Sequence, residues 1–314
     1  MERIISLIAL PVLVGLLLFA LPDKFRTFKG IVALLTSIVT GYLSVLIYSS
    51  GNQVLTMAEP GAVQSLTVLD GDLFRGTLKY ITFNCDNLSK LIILFVSLFT
   101  FLVLLYSILY IKAGSVRNYY PYFLITLGCA YGAVLADNLL FFIACWGVLG
   151  ITLYKLIRGD DEESAAAAKK TLILIGASDS IMIIGIAILW KLTGSLSMGG
   201  ISVPTTSALP VIAFLALLAG SLTKAGAFPF HTWVPDYAKS APASSSAYLP
   251  ASLDKLLGIY FLARITMDLF ILNQWLTLLL LSIGVITIII AVMMALVQHN
   301  YRKLLGFHAV SQVG

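Results

Sequence analysis

Residues 4–21 are almost wholly apolar, and stretches of the same kind recur to the end of the chain. They lie near 30–49, 90–111, 119–136, 138–157, 171–190, 209–228, 249–265 and 275–297. A helix of about 20 apolar residues crosses the hydrocarbon core of a bilayer. Water is absent there, so every peptide group must be satisfied internally, and runs of this length can only be helices. The sequence therefore predicts nine full spans, with a tenth that begins at Leu304 and stops with the chain at Gly314. Composition agrees: 11% of the 314 residues are charged, against about 25% in soluble domains. The predicted fold class is all-α, a polytopic transmembrane helix bundle. The first run lacks a small-residue cleavage site and is followed at once by another, so it reads as a retained helix and not as a signal peptide.

With the N-terminus placed outside, the inward loops hold twelve of the 20 Lys and Arg residues and the outward segments hold six. Positive charge inside supports that orientation. The two left over, Lys224 and Lys255, fall within spans. The one long external segment is 51–89, where "LTVLDGDLFRGTLKYITF" reads as a hairpin around Asp-Gly-Asp. "GDDEESAAAAKK" (159–170) reads as a helix entry, its acids leading and its lysines following in accord with the helix dipole. Asp137 is expected to cap the span that follows it.

Several function classes drop out. Cys85, Cys129 and Cys145 form no C-x-x-C pair, so neither a disulfide framework nor a metal site is indicated. There is no G-x-G-x-x-G strand-to-helix entry, P-loop or iron–sulfur cysteine pattern. The net charge of +5 reports orientation and indicates no nucleic-acid partner.

The informative residues are charges inside apolar runs. A charge at the bilayer centre costs roughly 2.5–3.5 kcal/mol on insertion scales, so it faces a partner or water. Lys224 lies four residues from the end of its span, where it either snorkels to the interface or serves as a proton site. Pro229 weighs for the second reading: it cannot donate to the Ala225 carbonyl, and a freed carbonyl at membrane depth belongs beside a polar cavity. Broken helices of this kind build ion sites in transporters. The next span, "SSSAYLPASLDKLLGIYFLAR", repeats the design with Pro250, Asp254 and Lys255. Neighbouring residues on a helix point about 100° apart, so Asp254 and Lys255 either neutralise each other or face different helices. Asp179 sits mid-span with no lysine in helical reach, and its counter-charge must come from another helix. His299 reads as interfacial. His308, inside the incipient tenth span, fits either a relay or a satisfied core residue.

"LTKAGAFPFHTWVPDYAKSAPASSSA" closely resembles the signature of the antiporter-like membrane subunits of respiratory complex I, group 4 membrane-bound hydrogenases and Mrp-type cation/proton antiporters. "CDNLSKL…LLYSILYI", "AAAAKK…GASDS" and "ALVQHNYRKLLGFHAVSQVG" resemble further family stretches in the same order. By position, the resemblance implies that Lys224 is the broken-helix proton-transfer lysine and Asp179 the sixth-helix aspartate. It likewise places His231, Trp233, Pro235 and Asp236 in the H-x-W-x-P-D turn. Lys255 falls one residue before the usual eighth-helix lysine, and Pro250 stands where many members have histidine. The family's fifth helix carries Trp-Glu, but here "IACWGVLGI" has Trp146-Gly147. Asp179 or Asp254 is then expected to supply the missing counter-charge.

The resemblance implies three regions: 1–118, an N-terminal three-helix region; 119–265, the first five-helix repeat with its broken helices; and 266–314, the start of a second, inverted repeat. It implies proton (or sodium) translocation as a membrane subunit of a redox-driven pump, with proton translocation carried by Lys224, Lys255, Asp179, Asp254, His231 and His308. Pro229, Pro235, Asp236 and Pro250 are the structural residues of the breaks. The alternatives are an Mrp-like antiporter without redox coupling and a non-pumping scaffold. No cofactor is expected in this chain. Iron–sulfur clusters, with a flavin or nickel–iron centre, are expected in peripheral redox subunits. Other partners are membrane lipid and further membrane subunits, one of them supplying the remaining C-terminal helices. The expected location is the cell (inner) membrane.

Overall fold

Twelve α-helices follow one another among the described residues, which in this computed structural model are 2–56, 81–111, 116–157, 159 and 161–314. They are α1 (Glu2–Phe19), α2 (Arg26–Tyr48), α3 (Asn87–Tyr110), α4 (Tyr119–Leu135), α5 (Leu139–Ile157), α6 (Glu162–Thr193), α7 (Ala208–Ala225), α8 (Trp233–Ser240), α9 (Ala243–Tyr248), α10 (Asp254–Arg264), α11 (Gln274–Leu296) and α12 (Tyr301–Val313). Seven described helices are long and apolar enough to cross a membrane. The predicted span at 119–136 is the shorter α4, of 17 residues, and that at 249–265 is an interrupted helix. With these two, all nine predicted spans have a helical counterpart.

Short strands tie the helix ends together. β1 (Gln53–Thr56) pairs antiparallel with β2 (Thr82–Cys85), and β3 (Val203–Pro204) pairs parallel with β4 (Phe270–Ile271). The 51–89 segment is thus closed by a ribbon made from its two ends, while the Asp-Gly-Asp turn lies outside the described residues.

Inside the bundle α1 packs on α4, α2 on α3, α4 on α5, α6 on α7, and α7 on α10. The most buried helices are those around the centre. In α4 nearly every residue is buried, whereas α11 leaves most of its apolar surface exposed.

Three local expectations need correction. Asp137 does not cap α5; Asn138 does, its Oδ1 accepting from the Leu140 N–H at 2.8 Å. Asp137 instead holds the 195–199 loop, accepting from the Gly199 N–H at 3.0 Å and the Ser197 hydroxyl. The helix expected to run to residue 228 ends at Ala225, before Pro229 can act. Gly226 takes a left-handed φ of +80° and its N–H returns to the Leu222 carbonyl, a C-cap that glycine adopts without steric cost. The following span starts early, at Ala243, and is interrupted by a π-turn at Leu249–Leu253. That turn contains Pro250, which cannot take part in a regular α-helical ladder. For "GDDEESAAAAKK" the expectation holds: Asp161 caps α6 by accepting from the Ser164 N–H at 3.2 Å.

Candidate functional site

Lys224 is the penultimate residue of α7 and is completely buried. Its position follows from where the helix stops: the Gly226 cap ends α7 inside the protein, so its last turn is surrounded by neighbouring helices. Trp233, at the start of α8, donates its Nε1–H to the Thr223 carbonyl at 2.9 Å, taking up one of the acceptors freed by the break.

Asp254 faces it. The Nζ of Lys224 lies 3.3 Å from Asp254 Oδ1, and the two side chains are 0% and 1% exposed. What brings them together is Gly258, one turn further along α10 and on the same face as Asp254. A Cβ at Gly258 would come within 2.5 Å of the Ala225 backbone nitrogen. Only a glycine allows α10 to touch the end of α7, and Ser221 seals the contact by donating to the Gly258 carbonyl at 2.8 Å.

A third helix adds the second acid. Asp179, on α6, accepts from Trp146 Nε1 on α5 at 2.9 Å, and the Trp146 ring centroid lies 5.3 Å from Lys224 Nζ. The indole face attracts the ammonium while its edge orients the carboxylate. Asp179 also lies within electrostatic reach of both Lys224 and Asp254. One ammonium therefore serves two carboxylates. Burying such charges costs several kcal/mol per ion unless geometry and further hydrogen bonds repay it. Here the pair approaches without hydrogen-bond alignment: Lys224 Nζ and both Asp254 oxygens have no such partner among the described residues. Buried polar groups of this kind are satisfied by internal water.

The other candidate residues lie elsewhere. Lys255 turns away from Lys224 into a groove shared with α12. There its Nζ donates to Gln312 Oε1 at 2.7 Å, and Gln312 Nε2 lies 3.3 Å from His308 Nε2. Asp254 and Lys255 are thus not a mutually neutralised pair; each faces a different helix. His231 packs against the rings of Phe228 and Phe307. Asp236 bridges Lys170 at 2.6 Å and Lys303 at 3.4 Å, tying α8 to α6 and α12. Pro235 lies in the first turn of α8, where a missing N–H costs nothing. Pro229 follows Phe228 through a cis peptide bond, and Pro250 lies in the π-turn.

Sequence reasoning missed Trp146 and Gly258 as parts of this site. Trp146 was legible only as half of a motif with its glutamate missing. Gly258 was one glycine among 24, with no signal that a neighbouring backbone approaches it. A Cβ placed on Gly147 would meet nothing within 4 Å, so there is room where the family's glutamate stands.

Comparison with known proteins agrees with this architecture. Residues 136–314 match the family described as "NADH:quinone oxidoreductase/Mrp antiporter, TM". The chain is 35% identical over 237 residues to a Na(+)/H(+) antiporter subunit of Alkalihalophilus pseudofirmus, covering 73% of this chain and 29% of that protein. It thus spans less than a third of the length of that curated relative. Its fold resembles a chain of the Mrp complex from Dietzia sp. DQ12-45-1b, with a TM-score of 0.80 at 21% identity over 100% of this chain and 58% of the other. It also resembles a chain of respiratory complex I from Thermus thermophilus, with a TM-score of 0.75 at 20% identity over 99% and 62%. A multi-pass helical bundle with a lysine sealed at the end of an interrupted helix, matched over more than half its length, belongs to the NADH:quinone oxidoreductase/Mrp antiporter transmembrane family.

Proposed function

We propose that this chain is a cation/proton-translocating part of an Mrp-like antiporter, with the Lys224–Asp254–Asp179 cluster as its exchange site. The observation that carries the reading is the fully buried 3.3 Å approach of Lys224 to Asp254 with Asp179 on the same Trp146. Two carboxylates against one ammonium leave one negative charge to be balanced in a low-dielectric setting, where an unpaired charge is costly. A proton on either acid, or a monovalent cation beside them, balances it. Ionisable groups within a membrane span mark ion pathways for this reason. The counter-charge supplied in the family from the fifth helix comes here from α10, so Gly147 does not disable the site.

Relatives at this level of identity bear the name of sodium/proton antiporter subunits, which moves the reading away from the redox-driven pump implied by motif resemblance. Iron–sulfur, flavin or nickel–iron partners belong only to that second reading, which rests on likeness of fold to complex I. In the reading favoured here the partners are further membrane subunits and lipid, in the cell membrane, with the N-terminus outside.

Sodium/proton exchange in inverted vesicles containing the whole complex tests this. Exchange is expected to run on an imposed ion gradient without an electron donor and to cease in Lys224→Ala. Strict dependence on a donor would return the redox reading, and normal exchange in Lys224→Ala would remove the site.

A further inference from the structure

Residues 226–232 carry the chain from α7 to α8, directly after Lys224. Each of their peptide N–H groups needs a partner wherever water is scarce. The N–H groups of Gly226 and Ala227 both return to the Leu222 carbonyl at 2.9 Å. The next N–H belongs to Phe228, and Pro229 after it has none. In a continuing α-helix the Phe228 N–H would bond the Lys224 carbonyl. It turns instead to another helix and donates to Thr287 Oγ1 of α11 at 3.2 Å.

Position and chemistry both suit Thr287 to this bond. The buried residues of α11 are Leu276, Thr287 and Ala291, so the polar side chain among them is the one that meets the break. Its hydroxyl donates to the Ile283 carbonyl, one turn back, at 2.6 Å. That commits the proton and leaves a lone pair to accept from Phe228. Thr287 is 1% exposed, so water does not compete for the bond. Ser282 on the same helix donates to its own preceding turn in the same way, to Leu278 at 2.7 Å, but is exposed and meets no such partner among the described residues. α12, on which α11 packs, holds the break from its other end. The His231 ring is stacked on Phe228, with centroids 5.7 Å apart, and lies 6.3 Å from the Phe307 ring of α12. A Cβ at Gly306 would come within 2.7 Å of Pro235 Cα, so α12 touches the first turn of α8. The two helices thus grip the break at Phe228 and at His231.

We propose that Thr287 is a positioning residue for the Lys224–Asp254 pair: by accepting the Phe228 N–H it fixes the end of α7 and links α11 to the exchange site. This rests on the reading of that pair as the site of exchange. Thr287 makes no hydrogen bond to either charge among the described residues, and it transfers no proton. Its effect is on how the last turn of α7 sits against α10. Removing the acceptor leaves a buried N–H that must find water or another carbonyl, since an unpaired one is costly. Either outcome changes the surroundings of the ammonium four residues earlier.

The test compares three variants of the whole complex in inverted vesicles, with sodium/proton exchange normalised to assembled complex. Thr287→Val keeps the branched shape and removes the acceptor, Thr287→Ser keeps the hydroxyl, and Ser282→Ala is the control. Thr287→Val is expected to lower the maximal rate about two- to tenfold, the worth of one hydrogen bond, and to displace the pH profile of exchange. Thr287→Ser is expected to restore both, and Ser282→Ala to run at the unmodified rate. A threonine that serves only folding lowers the amount of complex and leaves the rate per complex and the pH profile unchanged; that result overturns the proposal, as does a serine that fails to restore them. If Thr287→Val does not assemble, hydrogen–deuterium exchange at the Phe228 amide of the unmodified complex decides: slow exchange supports the anchor, and exchange as fast as in an open loop overturns it. Normal exchange in Thr287→Val with Lys224→Ala silent removes the role of Thr287 and leaves the pair standing. Transport in Lys224→Ala removes the pair, and the proposal with it.

Discussion

Lys224 and Asp254 meet 3.3 Å apart with neither side chain open to solvent, although 30 residues and a broken helix separate them in sequence. Removing one member of such a pair leaves the other charged and unpaired, at a cost of about 3–5 kcal/mol, whereas replacing both by apolar residues is often neutral. Asp254→Leu and Lys224→Leu are each expected to lower the thermal stability of the purified complex, and the double variant to recover most of the loss. All three are expected to lose exchange. A double variant less stable than both singles would mean that the pair is not the relevant partnership.

Trp146 is expected to couple to Asp179 through its N–H and to Lys224 through its ring. Trp146→Phe removes the hydrogen bond to a half-buried carboxylate and keeps an aromatic face, with an expected cost of about 1–3 kcal/mol. In a double-mutant cycle with Asp179→Asn the two losses are expected to be strongly non-additive, as for groups in one network. Additive losses would show that the 2.9 Å contact carries no energy.

Two glycines are expected to behave oppositely. Gly258→Ala drives a methyl to within 2.5 Å of the α7 backbone, and overpacking of this kind costs about 1–3 kcal/mol. It also separates Asp254 from Lys224, so exchange is expected to fall although no ionisable group is touched. Gly147→Ala meets nothing within 4 Å and is expected to be neutral or to stabilise α5 by about 0.5–1 kcal/mol. Parallel melting curves and exchange rates check both, and equal effects at the two positions would contradict the packing described here.

Asp86 offers a pH signature outside the spans. Burial alone would push its carboxyl up, but the Arg264 guanidinium, forked onto both oxygens, and the Ser89 N–H outweigh burial and hold it below the usual range. Because the folded-state value is depressed, the contribution is fully present above the ordinary aspartate value of about 3.9 and is lost as pH falls below it. Asp86→Asn is expected to be less stable than the unmodified chain near neutrality and to flatten the loss of stability on acidification. Melting temperatures between about pH 3 and pH 7 would show it, and curves that stay parallel throughout would refute it.

Much of this architecture was legible in advance because lipid leaves the backbone few choices. Apolar runs of span length must be helices, so residues 30–49 or 275–297 reveal their conformation without knowledge of any neighbour. Lys224 and Asp179 were legible for the converse reason: a charge in hydrocarbon needs a partner, and its presence alone announces one. The partner's identity was not legible. Asp254 and Asp179 were equal candidates in sequence, and the choice turned on Gly258, whose missing side chain lets α10 reach the end of α7. Trp146 gave no sign that its edge and face would serve two different charges. The break after Lys224 was visible as Pro229, yet the chain turns at Gly226, because a left-handed cap ends a helix before a proline beyond it can matter. Sequence by itself determined which segments are helical and which residues are costly in a membrane, since both follow from local chemistry against lipid. Only the tertiary structure decided which costly residues share a site, because that depends on how closely two backbones can approach.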